Sequence, residues 1–253
     1  RLRPQIAQLF TDALGAPVAL GALSADWYGP IPRLQIARLQ LFNSHGSAPL
    51  QLFSLRLELN LWQSLWHRSL VWRELSVESA TVALREGGDG RWSLAGLPAR
   101  EGSFNPRALL APLAYSRFVQ LSSLELQLQP NRGRPWVVEG TQLRVENEQQ
   151  FHRLQATLGT AGQPLAPIQL VAEGSGDPLD REAFVGSGYL QLQKLQVAQP
   201  LAAIGMSLFP ELFVDLQGLA ELSVPLDGDL WFDLSQGGVL EFHGQLSAAQ
   251  IPL

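Results

Sequence analysis

Leucine and polar residues alternate through most of this chain. Ser54-Leu55-Arg56-Leu57-Glu58-Leu59-Asn60-Leu61 is the cleanest stretch, with Leu on one face and Ser, Arg, Glu and Asn on the other. The same two-residue period predicts strands over 33–61, 70–77, 81–85 and 91–94, then 118–129, 136–147, 151–158, 168–174 and 184–197, and finally 212–224, 229–234 and 239–248. Three proline-led segments break the period. Ile6, Leu9, Phe10, Ala13 and Leu14 follow Pro4 at helical spacing, and Gly15 is a stop. A second helix is expected over 105–115, with Asn105 as N-cap, Pro106 in the first turn and Pro112 as a point of kinking. A third runs over 201–208 and ends before Pro210. Turns are expected at Trp27–Pro32, Gly87–Gly90 and Asp227–Asp229.

Two regularities sit on this pattern. Each helical segment is followed by Val-x-Leu-x-x-Leu: Val18 to Leu23, Val119 to Leu124 and Val214 to Leu219. The valines lie 119 − 18 = 101 and 214 − 119 = 95 residues apart, a near-period that implies a unit built repeatedly. The alternation also slips by one position at a recurring place. It does so in Ile36–Leu41, Leu52–Leu57, Leu121–Leu126 and Leu192–Val197. A strand keeps one face apolar through such a slip only by bulging or bending. Strands paired in register with their slips aligned therefore predict a strongly curved sheet.

The inner face of that sheet is a run of aliphatic side chains. Its candidate members are Val18, Leu20, Leu34, Ile36, Leu55, Leu57, Leu59, Leu75, Val77, Leu124, Leu126, Leu128, Leu143, Val145, Leu190, Leu192 and Leu219. A saccharide or nucleotide site needs convergent polar groups there, and an acyl chain does not. The helices are too few to cover one face of some thirteen strands. The sheet either folds on itself as a sandwich or curls around an apolar interior.

Composition narrows the classes. A net charge of −5 gives a nucleic-acid partner no electrostatic support. Charged residues are only 16%, and cysteine is absent, which excludes disulfides and thiolate chemistry. No run of apolar residues reaches the roughly 18 of a membrane helix. The chain starts inside a helical pattern at Arg1-Leu2-Arg3-Pro4 and stops inside a strand-like one, so it reads as a piece of something longer. His45, His67, His152 and His243 are scattered without metal spacing. Glu221, Asp227, Asp229 and Asp233 form the one acidic cluster, read as turn residues rather than acid–base pairs. Gly186-Ser187-Gly188 lacks the strand-to-helix context of a nucleophile elbow. No catalytic residue, metal site or cofactor is expected. The seven tryptophans are read as core packing and strand-end plugs, with interfacial anchoring as the other use.

The stretches Ala16–Trp27 with Pro32–Ile36, Leu59–Arg68 and Asp89–Leu97 resemble the AsmA-like family, in particular the periplasmic N-terminal region of its YhdP-like branch. The resemblance implies a mainly β fold. Its long, taco-shaped antiparallel sheet is built of repeating β-groove units, each of five strands plus a crossover segment, with short interspersed helices. It implies bridge-like lipid transport, with phospholipid acyl chains in the groove and no enzyme activity. It implies a periplasmic location, an inner-membrane anchor formed by a helix absent from this chain, and an outer-membrane partner. The expected organisation is an N-terminal helix (1–16), a first groove unit (17–103), a crossover helix with a second unit (104–198), and a third, truncated unit (199–253). Arg1 and Arg3 would lie near headgroups. The competing readings are a β-sandwich scaffold that binds a protein through a sheet edge, and an outer-membrane barrel.

Overall fold

The computed structural model describes residues 3–29, 31–62, 64, 72–88, 92–97, 106–131, 135–160, 168–180, 182–196, 225–235 and 238–248. The expected third helix, the strand at 212–224 and Leu219 lie outside them. The chain divides into two compact units, 1–148 and 149–253, a division that falls within the stretch assigned above to the second groove unit.

Helix α1 (Arg3–Leu14) opens the first unit. It stops where the sequence places its stop. Gly15 takes the left-handed conformation at φ 69°, and its N–H bonds the Thr11 carbonyl at 2.8 Å. Eight strands follow: β1 (Val18–Leu20), β2 (Leu23–Tyr28), β3 (Ile31–Leu41), β4 (Leu50–Leu59), β5 (Trp72–Glu86), β6 (Trp92–Leu94), β7 (Phe118–Gln129) and β8 (Trp136–Glu148). They form one sheet in the order β1-β3-β4-β5-β7-β8, with β2 also against β3 and β6 against β5. Helix α2 (Pro106–Tyr115) lies between β6 and β7. Pro112 does not split it. Its last turn is closed by the buried Asn147 amide, which donates to the Leu113 and Ser116 carbonyls.

The β5–β7 pair is parallel, whereas the other described pairs are antiparallel. A helical crossover brings the next strand back in the same direction, and α2 is that crossover. The antiparallel expectation is corrected at this one seam.

The aligned slips are present. In β3 and β4, Ile36 pairs with Leu55 and Arg38 with Phe53, leaving Ala37 and Ser54 unpaired between them. The β5–β7 ladder skips Glu78 and Ser122, and the β7–β8 ladder skips Ser122 and Gln142. On the other flank, β1 ends at Leu20 opposite Leu39 and β2 starts at Leu23 opposite Ile36. One line therefore crosses every long strand of the unit. Along it two successive residues point outward, such as Ala37 with Arg38, Ser122 with Ser123 and Thr141 with Gln142, all exposed. Ser54 and Gln142 hold φ of 51° and 56°, a region L-residues rarely occupy. The sheet bends there, concave toward its leucines.

The second unit comprises β9 (Phe151–Thr160), β10 (Ile168–Ser175), β11 (Val185–Gln196), β12 (Pro225–Ser235) and β13 (Gly238–Ala248). Each pairs antiparallel with the next. The slip in β11 is a bulge between Leu192 and Leu195, with Lys194 at φ 49°. The Asp227 carboxylate accepts the Lys194 N–H at 2.8 Å.

Four local expectations are corrected. From residue 72, where the described part begins, the expected segments 70–77 and 81–85 are one strand, β5, because the ladder skips only Glu78 and resumes at Ser79. Pro32 is inside β3, just before the β3–β4 ladder begins at Arg33. Asp227-Gly228-Asp229 is mid-strand in β12, since its carboxylates serve the backbone and side chains of β11. Trp27, Trp62 and Trp231 are exposed rather than core residues.

Candidate functional site

Register turns the slipped alternation into continuous apolar rows. On one side of the bend, Leu34 pairs with Leu57, Leu57 with Leu75, Leu75 with Val119 and Val119 with Val145. Leu121 joins Val77 to Leu143 in the adjacent row. Beyond the bend, Val18, Leu41, Leu50, Val82, Leu126 and Val138 form another row, and Leu20, Leu39, Leu52, Ala80 and Leu124 run beside it. No charged residue interrupts these rows. The structure thus gathers the candidate residues of the first unit, except Leu59, on one concave face. Leu59 pairs with Trp72 beyond a register shift at the strand end.

Helix α1 lies on part of that face. Ile6, Ala7 and Phe10 pack against a core of Leu20, Ile36, Leu55, Leu57, Leu75, Val77 and Val119. Ile36 and Val119 are 1% exposed, and Leu55, Leu57 and Val77 are 4% exposed. These residues already have protein neighbours and form core. Val18, Leu34, Leu59, Leu124, Leu126, Leu143 and Val145 are only partly covered. The sequence pattern assigned all of them to one class, because periodicity reports a face and not what lies on it.

The second unit has its own apolar face. Leu158, Ile168 and Leu192 share one row; Ala156, Leu170, Leu190 and Leu230 share the next. Leu158, Leu170 and Leu190 are partly covered, and no described helix packs there. One glycine, Gly188, interrupts the following row, between Ala172 and Phe232. A Cβ placed on Gly188 would lie 2.1 Å from the Phe232 ring, so the ring lies directly across bare backbone. Sequence reasoning missed Leu158, Leu170 and Leu230. Their alternation was readable, but their level on the wall depends on register.

The ion pairs and most other polar groups belong to the opposite face. Arg33 donates to Glu58 across β3 and β4 at 2.6 Å, and this contact raises the guanidinium above its ordinary value. Tyr189 donates to Asp229, and that carboxylate pushes the phenol up. The clustered aspartates thus have structural partners: Asp229 takes Tyr189 and Gln191, and Asp227 takes the bulge N–H. Gly186-Ser187-Gly188 is inside β11 with a strand on each side. His152 bonds the Gly176 carbonyl. Among the described residues no group of His, Asp or Glu has metal-binding geometry, and no helix is long and apolar enough to cross a membrane.

A sequence-family comparison matches residues 1–253 to the family described as YhdP protein. The chain belongs to the YhdP family. The match covers the whole chain, including the half beyond the stretches that carried the AsmA-like resemblance. No curated protein matches it. In this YhdP-family chain the apolar face continues from the first crossover strand, β7, into the bend shared with β5 and β8.

Proposed function

We propose that this chain is a periplasmic segment of a bridge-like lipid transport protein, anchored at the inner membrane. The apolar faces of its bent sheets carry phospholipid acyl chains toward the outer membrane. One observation carries the reading: rows of aliphatic side chains without a charge, about half of them only partly covered by protein. An acyl chain laid on them gains roughly 0.8 kcal/mol per methylene removed from water. A wall without polar anchors holds chains without fixing them, which suits movement along the wall better than storage. No cofactor and no catalytic group enter this reading. The groove units 17–103 and 104–198, followed by a third, are part of the proposal, with α2 as the seam between the first two. The sheet-edge scaffold has less support, because within each unit the described strands lie in one sheet with no second sheet facing it.

Organic extraction and mass spectrometry of the purified chain test this. Phospholipid is expected in the wild type and is expected to fall in Leu190→Arg, whose site is only partly covered. Leu57→Arg is the contrasting variant. Leu57 is 4% exposed, so an unpaired charge there costs about 3–5 kcal/mol and damages the fold itself. A lipid-free wild type overturns the proposal.

A further inference from the structure

A second concave feature lies at the break between β1 and β2. It is a pocket of about 400 Å³, open to solvent, with Ala19, Gly21, Ala22, Ala37 and Phe53 among its walls and Arg3 and Arg38 beside them. That volume is in the range of small-ligand sites. Gly21 lets the chain approach β3 closely at the pocket wall: a Cβ there would come within 3.1 Å of the Arg38 Cβ and backbone N, and the Gly21 N–H bonds the Arg38 carbonyl at 2.7 Å. The Arg38 guanidinium lies over the Phe53 ring, 5.2 Å from its centroid. Stacking fixes the plane of the fork without using its N–H donors. Among the described residues no carboxylate lines the pocket, and neither Arg3 nor Arg38 makes an ion pair. Two cations without an ion pair among the described residues, on walls of mixed polarity that include Gln40, stand out in a chain of net charge −5.

We propose that this pocket binds a phosphate-bearing anion, carried either by a phospholipid headgroup or by a soluble phosphate ester. Two guanidinium forks from separate elements, α1 and β3, offer more donors than the two oxygens of one carboxylate accept. A phosphate presents the additional acceptors, and Arg–phosphate hydrogen bonds are among the strong charge-assisted ones. The bend line makes the site. It interrupts the β1–β2 edge at Gly21-Ala22 and turns Ala37 and Arg38 outward together. The pocket shares Leu20 with the leucine rows, but its two arginines are no part of them, and the anion site is tested apart from lipid carriage on the rows.

The test uses the purified chain with two probes: glycerol phosphate by calorimetry, and flotation with phosphatidylglycerol vesicles against vesicles of a phosphate-free glycolipid. Arg3→Gln and Arg38→Gln are each expected to weaken binding about tenfold, the size of one lost hydrogen bond to a charged partner. Arg38→Lys restores part of it. Arg117→Gln, the same charge change at a site 69% exposed, leaves binding unchanged. Binding of both probes, with glycerol phosphate displacing the vesicles, assigns the site to phosphate esters generally. Binding to phosphatidylglycerol alone assigns it to a headgroup at a lipid surface. Equal binding by the double Arg3→Gln, Arg38→Gln variant, or equal flotation with the glycolipid, overturns the proposal. Extracted acyl lipid, measured in parallel, reports on the leucine rows and is expected to be unchanged by these variants.

Discussion

Tyr189 shows how a single polar contact supports the outer face. Its phenol donates to Asp229 across the β11–β12 ladder, and its ring tilts against Trp231 at 5.2 Å. The neighbouring carboxylate disfavours the phenolate and raises the phenol. The sign follows. The contact contributes fully below the ordinary tyrosine value of about 10 and is lost as pH rises through the higher value of the folded chain. Following tyrosinate absorbance during alkaline titration, Tyr189 is expected to ionise at higher pH in the wild type than in Asp229→Ala. Coincident curves contradict the assignment. Asp227 acts on the same strand pair differently, by satisfying the N–H that the Lys194 bulge leaves out of the ladder. Neither role was readable from the acidic cluster in the sequence. Both carboxylates find their partners through register, which sequence spacing does not encode.

At the scale of elements, the bend line organises the first unit. The Val-x-Leu-x-x-Leu cassette contains it: its two adjacent unspecified positions are Gly21-Ala22 in one described copy, between β1 and β2, and Ser122-Ser123 in the other, where the ladders skip Ser122. The helices over 3–14 and 106–115 and the five strands from β7 to β11 were legible, because period and punctuation agree there. Less legible were the parallel seam and the cover on the wall. Strand direction follows from the crossover, and α1 reaches Ile36 and Val119 only through tertiary packing. The bend itself rests on strained residues. Ser54, at φ 51°, pays for the left-handed conformation that glycine adopts freely. Urea unfolding is expected to show Ser54→Val less stable than Ser54→Gly by about 1–2 kcal/mol. Equal stability of the two contradicts a strained bend at that position.

At the scale of the whole molecule, each unit separates its chemistry by face. Aliphatic rows line one side, while the ion pairs, most of the glutamine amides and the arginine pocket occupy the other side and the edge. Family membership agrees with the fold class read from alternation and slip. The central claim concerns what touches the aliphatic side. Photo-crosslinking in cells tests it most directly, with a photoreactive residue placed singly at Leu126, Leu170 or Leu190 on the inner face, or at Gln127, Gln169 or Gln191 one step along each strand. Phospholipid adducts are expected at the three leucine positions and not at the three glutamine positions. Adducts at neither set, or equally at both, contradict the account.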